Sequence, residues 1–342
     1  MGVPAWDLSG AVILATSPLT MPVWVKGALP MNRTGTLESV IATVHQKSEH
    51  YFDEVIPVLD MEFDNLNQMW ISGRRVEILP SAQHLIANRL RVPHSYLCRC
   101  PQELQAENLN YWIREEAKNR QTFFCRFDAN QLRAVFTERY TAIDNMEVLT
   151  KILEYGFNPD GEIQFALDDE MMLLKMPEYD RGFNLIGDDK IVPGISIANS
   201  EVGVLSLSIE AFYYRLICSN GLIAKTAVDA RYKHISRKVI NEFPSILQGV
   251  ISQSRQGNDR FRISTQTNVS NPESTIDTFA RQFQIPQEEA QIIKAAFLLE
   301  QGATMFHVIN AFTRAAQDGR LSAPSAYRLE KAGGAILGMV KS

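Results

Sequence analysis

Cysteine is scarce in this chain: four residues among 342, Cys98, Cys100, Cys125 and Cys218. Cys98-x-Cys100 has the wrong spacing for a zinc knuckle, and no second Cys/His pair completes a site. They read as free, mostly buried thiols of a reducing, cytoplasmic compartment. Long apolar runs are missing too. No stretch reaches the roughly 18 residues that a spanning helix needs, so no membrane segment is expected. Asp7 interrupts the N-terminal apolar stretch, no basic residue precedes Lys26, and Trp6 stands where myristoylation needs Ser or Thr; neither signal peptide nor lipid anchor is expected. A large excess of one charge is also lacking. There are 34 Lys and Arg against 39 Asp and Glu, a net charge of -5, with 45% hydrophobic residues. That excludes a disordered chain and a protein basic all over.

Catalytic signatures are absent as well. There is no G-x-x-x-x-G-K-[ST], no G-x-G-x-x-G and no G-x-S-x-G, and His84 and His94 do not form an H-E-x-x-H pair. P-loop hydrolysis is therefore disfavoured, and no catalytic residue, cofactor or metal is assigned. Asp168, Asp169 and Glu170 could hold Mg²⁺ for nuclease chemistry, but as a hairpin turn they need no such role. His307 lies on an apolar helix face and reads as a core or interface histidine.

What is present is an alternation of short strands and helices. Residues 1–80 read as an irregular arm with small strands, broken by a helix from Glu38 to His50 and followed by paired strands from Val55 to Leu79. Residues 81–250 read as an α+β core of hairpins packed with helices. Ser81 can cap a first helix, two more follow at His94 and Pro101, and 121–137 is a hairpin with Arg126 and Arg133 off its core face. A helix from Asp144 ends at Gly156, and EIQFAL with EMMLLKM forms a second hairpin. Residues 251–273 are polar and read as a linker, and 274–342 are helical, with turns at Ile285-Pro286, Asp318-Gly319 and Gly333-Gly334. IANRLRVP (86–93) and FARQFQIP (279–286) echo one another as the first helix and turn of a helix-turn-helix unit, with Arg91 and Gln284 where such turns usually carry Gly.

The charge is segregated. Residues 1–73 carry -5, 74–139 carry +4, 140–210 carry -10, 211–262 carry +6, and 263–342 are neutral. The basic stretches offer Arg126, Arg133 and Arg139 around one hairpin, and Arg215, Arg231, Lys233, Arg237 and Lys238 in the other. Arginine forks suit phosphate, and Phe127, Tyr140, Tyr213 and Tyr232 are candidates to stack on unpaired bases. A solvated charged face is the plainer alternative.

Four segments in order carry a family resemblance: RLRVPHSYLCRCPQELQAENLNYWI (89–113), LRAVFTERYTAIDNMEVLTKIL (132–153), PGISIANSEVGVLSLSIEAFYYRLICSNGLI (193–223) and FHVINAFTRAAQ (306–317). Together they resemble the phage/plasmid-like family of the domain of unknown function 932, from about Ser81 to the C-terminus. Its order of elements is similar to that of phage single-strand annealing proteins, which pair strands without ATP. The resemblance implies a cytoplasmic protein that binds single-stranded DNA and promotes its annealing, working as a homo-oligomer. The alternative is an interaction or anti-defence protein whose acidic region 140–210 docks a protein partner. Asn199, Ser200 and Gly203, and Asn220 with Gly221, read as tight turns or as a backbone-lined phosphate site.

Overall fold

The computed structural model describes residues 33–186, 189–215, 220–224, 230–232, 238–254, 258–300 and 302–340. The chain runs through β1 (Arg33–Thr36), α1 (Leu37–Lys47), β2 (Tyr51–Pro57), β3 (Met61–Phe63), β4 (Gln68–Ile71) and β5 (Arg74–Ile78). Helices α2 (Pro80–Leu90), α3 (His94–Leu97) and α4 (Gln102–Ala117) follow, then β6 (Thr122–Asp128), β7 (Gln131–Phe136) and α5 (Asn145–Tyr155). Next come β8 (Glu162–Leu167), β9 (Met172–Pro177), β10 (Phe183–Ile186), β11 (Asp189–Asn199), β12 (Leu207–Arg215), β13 (Asn220–Ala224) and β14 (Ala230–Tyr232). The remainder is helical: α6 (Lys238–Ser254), α7 (Asn258–Gln266), α8 (Pro272–Gln282), α9 (Gln287–Phe297), α10 (Met305–Ala315) and α11 (Ala323–Met339).

The strands form two sheets. One has the order β2-β6-β7-β5-β4-β3 and is antiparallel except for the β5–β7 pair. The other has the order β1-β8-β9-β11-β12-β13, with β10 on β11 and β14 on β12. Each has its own core. Phe123, Cys125 and Phe127 pack with Ile86, Leu97 and Leu109 from α2, α3 and α4. Leu174, Ile197 and Phe212 pack with Phe243, Phe306, Phe312 and Leu329 from the C-terminal helices. The class is α+β with a helical C-terminal region, as the alternation of patterns implies.

Several boundaries fall elsewhere than the sequence pattern places them. A break near residue 80 would cut the first sheet, because β2 pairs with β6 and β5 with β7. Residues 33–78 are therefore no arm. The polar stretch 251–273 is largely helical, in the end of α6 and in α7, whose Phe261 and Ser264 are buried against the larger core. Gly333 and Gly334 are buried inside α11, where missing side chains let a helix pack closely. Ser81 caps nothing: Pro80 opens α2, its fixed φ suiting the first helical position, and the Ser81 hydroxyl donates to the Arg133 carbonyl at 2.8 Å.

The internal echo is real in the backbone. Arg91 (φ 58) and Gln284 (φ 53) both take the left-handed conformation, and the next amide reaches back to an alanine carbonyl: Val92 to Ala87 at 3.0 Å, Ile285 to Ala280 at 2.8 Å. Both turns thus end α2 and α8 in the same hydrogen-bonded way. Among the described residues no helix is long and apolar enough to cross a membrane.

Candidate functional site

The first hairpin behaves as predicted up to a point. Arg126 faces away from the core of its sheet, and a bulge in β7 between the Arg126–Ala134 and Phe127–Leu132 pairs turns Arg133 the same way. That face is covered, however, by the β11–β12 connection. Arg126 is 3% exposed and Arg133 5%. Arg126 donates to Asp53 at 2.9 Å, to Asp144 and to the Glu201 carbonyl at 3.3 Å. Burial opposes its charge, but Asp144 and Asp53 more than offset that and lift its pKa above the ordinary arginine value. Arg133 donates to the Glu201 carboxylate at 2.7 Å and lies 3.4 Å from the Tyr51 ring centre. Both are consumed inside the protein, and neither can neutralise a phosphate as expected.

The Asn199–Gly203 phrase is what covers them. The second Glu201 oxygen accepts the Asn145 amide at the start of α5, at 2.8 Å. Asn199 donates to the Ile143 carbonyl and to Asn145, and Ser200 to the Glu170 carbonyl. Gly203 has φ 78, and a Cβ there would meet Phe136 at 2.8 Å. Every one of these polar groups is turned inward, so the phrase is a latch between the two sheets, and the phosphate-site reading is set aside for Asn199, Ser200 and Gly203. Asn220 and Gly221 begin β13, opposite Arg215 and Tyr214, and are strand residues where a turn was expected.

The remaining expected residues are scattered. Arg215 pairs with Glu300 at 3.1 Å and stacks over Phe306. Arg231 and Tyr232 lie in β14 beside β12, and Lys238 opens α6; Lys233 and Arg237 lie outside the described residues. Arg139 is exposed. Phe127 is buried and stacked on Phe52, and Tyr213 is 4% exposed, so neither can stack on a base. Tyr140 lies flat on Phe136 at 3.7 Å and donates to the Glu201 carbonyl; burial pushes its pKa up to about 12. The acidic block is likewise spent internally in part: Asp144, Asp169, Glu201 and Glu210 pair with Arg126, Lys47, Arg133 and Lys331. Among the described residues no cluster of His, Cys, Asp and Glu is arranged to hold a metal ion. Cys125 is buried, but Cys98 is exposed and Cys100 half-buried, against the expectation for the thiols. His307 accepts its role as a satisfied helix residue, its Nδ1 2.8 Å from the Thr304 hydroxyl at the start of α10.

The basic segment 74–139 does shape a surface, in a different place. The ends of α2 and α4 and the end of β7 border an open groove of about 880 Å³. Arg89, Arg91 and Arg120 line it with Asn88, Asn119 and Trp112. Trp112 is 43% exposed. The two carboxylates of the rim are already engaged, Glu116 with Arg120 at 3.1 Å and Glu115 with Lys118 at 2.6 Å. Arg89 and Arg91 make no ion pair among the described residues. Burial and the neighbouring Arg120 guanidinium pull the Arg89 pKa down, with Glu116 opposing. This groove thus brings arginines and an exposed indole to one surface. Sequence reasoning weighed the aromatic hairpin instead; the cue it passed over was the R-L-R spacing at the end of α2, whose left-handed turn throws Arg91 outward.

The fold and this groove define an α+β protein with two latched sheets and a basic, aromatic-edged groove. The chain belongs to the family described as Domain of unknown function (DUF932), whose model matches residues 133–332. The match takes in the Asn199–Gly203 latch and the larger sheet except β1, but not α2 or α4 of the groove, and so is narrower than the span the resemblance suggested. No curated protein and no solved structure matches the chain.

Proposed function

We propose that the protein binds single-stranded DNA in the α2–α4 groove, without a covalent step. The observation that carries this reading is that Arg89 and Arg91, neither in an ion pair among the described residues, line one open groove whose two rim carboxylates are already paired. A phosphate offers these two guanidinium groups an acceptor, and the exposed Trp112 offers a platform for an unpaired base. The chain's overall charge of -5 is no obstacle, since binding depends on the local field. Annealing of complementary strands by a cytoplasmic homo-oligomer extends the same reading.

Fluorescence anisotropy with a labelled oligonucleotide at several salt concentrations tests it. Two phosphates engaged by Arg89 and Arg91 give a log–log salt slope of about -1.4. Arg89→Ala with Arg91→Ala should weaken binding at least tenfold and flatten the slope. No binding at low salt overturns the proposal. So does a variant that melts lower but binds equally well, which would mean that the arginines serve only the carbonyl dipoles at the ends of α2 and α4. Strand annealing is read separately, by quenching between complementary labelled oligonucleotides.

A further inference from the structure

A second concavity lies on the seam between the sheets, away from the groove. Lys47 of α1, Tyr51 of β2, Arg133 of β7, Asn145 of α5 and the β8–β9 turn Asp168–Glu170 enclose a crevice with interior room of about 10 Å³. That is space for one oxygen-sized group, with the rest of a ligand held at the mouth. Clefts between packed units are where ligands most often bind.

Its two walls ask for opposite things. On one side Arg133, 5% exposed, uses Nη2 on Glu201 and leaves Nη1 without a partner. A buried donor of that strength needs an acceptor. The other wall is rich in acceptors. Asp168 Oδ1 takes the amides of Glu170 and Met171, leaving its second oxygen over, and Asp169 pairs with Lys47 at 2.8 Å across the mouth. Burial, with Asp168 and Asp169 alongside, pushes the Glu170 carboxyl up to about 7, so it can both donate and accept near neutrality. An anion placed here would satisfy Arg133 but meet Asp168. A cation would satisfy the turn but meet the guanidinium. A hydroxyl both accepts and donates, without net charge.

We propose that the seam crevice binds a sugar hydroxyl, so that its ligand is a small polyol or the ribose of a nucleoside. The polar part of the lining supports this in kind: carboxylate, amide and guanidinium groups share the crevice with a tyrosine, and Val44, Leu167 and Met171 complete its wall, a set suited to hydroxyls that each give and take one hydrogen bond. Nothing in this inference depends on DNA binding in the groove.

The probes are D-ribose, uridine and acetate, titrated into the full chain by calorimetry, with Glu170→Gln and Tyr51→Phe beside the wild type. Glu170 meets the latch through its backbone carbonyl and Tyr51 meets Arg133 through its ring, and both substitutions keep those contacts, so the fold should survive; equal far-UV circular dichroism checks that. Saturable binding of ribose or uridine, weakened at least tenfold in Glu170→Gln, is the expected result. Ribose binding assigns a free polyol, and binding of uridine alone assigns a nucleoside. No saturable binding of either, equal affinity in both variants, or tighter binding of acetate overturns the proposal. Arg89→Ala with Arg91→Ala should leave these affinities unchanged, which keeps failure here distinct from failure of the groove.

Discussion

Glu201→Gln should be among the most damaging conservative substitutions in the protein. The Glu201 side chain is 6% exposed and serves two donors at once, Arg133 Nη2 at 2.7 Å and the Asn145 amide at 2.8 Å. An amide keeps the size and one acceptor oxygen, but its NH₂ must then face either a guanidinium or a backbone N–H. The charge of Arg133, also 6% exposed at its side chain, loses its counterion. Removing one partner of a buried pair costs about 3–5 kcal/mol. Lost support for the first turn of α5 overlaps with that figure. Set against a total stability of roughly 5–15 kcal/mol, the loss is a large fraction of the whole. Urea unfolding at pH 7 measures it as a fall in midpoint at unchanged slope. Replacing the pair together, Arg133→Met with Glu201→Met, should recover most of the loss, because an apolar pair of similar volume is often neutral. A single variant losing less than about 1 kcal/mol, or a double variant no better than the single, would refute the latch.

Other outcomes follow from the same geometry. Gly203→Ala forces a side chain into a left-handed backbone and against Phe136, and should cost about 1–3 kcal/mol, read by thermal unfolding. Glu170 has a folded pKa raised from 4.5 to about 7. Its contribution to stability is therefore complete below the unfolded value and lost as pH rises toward 7. Glu170→Gln lacks that slope, so its melting temperature should gain on the wild type between pH 5 and pH 7.5; parallel pH profiles would contradict the assignment. Cys98, exposed beside His94, should react with a thiol reagent in the native protein. Cys125, whose thiol burial pushes up to about 12, should react only after unfolding; equal native rates would show that its sheet opens freely.

Much of the fold is legible in the chain because its signals are local. Gly156 ends α5 with φ 104 as expected, the two hairpins stand where alternation places them, and the Ala-to-Pro echo predicts two turns of one geometry. The period of the apolar residues also fixes which side of β6 carries Arg126. Whether that side meets water is not a local property. It depends on Glu201, 75 residues later, arriving from the other sheet. The same holds for the domain boundary: β2 and β5 pair with strands more than 50 residues on in sequence, and no composition change near residue 80 records that.

The sequence by itself therefore determined many of the elements, the class, the segregation of charge and the family. Tertiary structure alone decided which charges are free. Arg126 and Arg133 look no different in the chain from Arg89 and Arg91, yet the first two neutralise carboxylates inside a seam and the last two edge an open groove. The reason is physical: a charge's side of a strand follows from backbone periodicity, but its partner and its access to solvent follow from which distant segment packs over it.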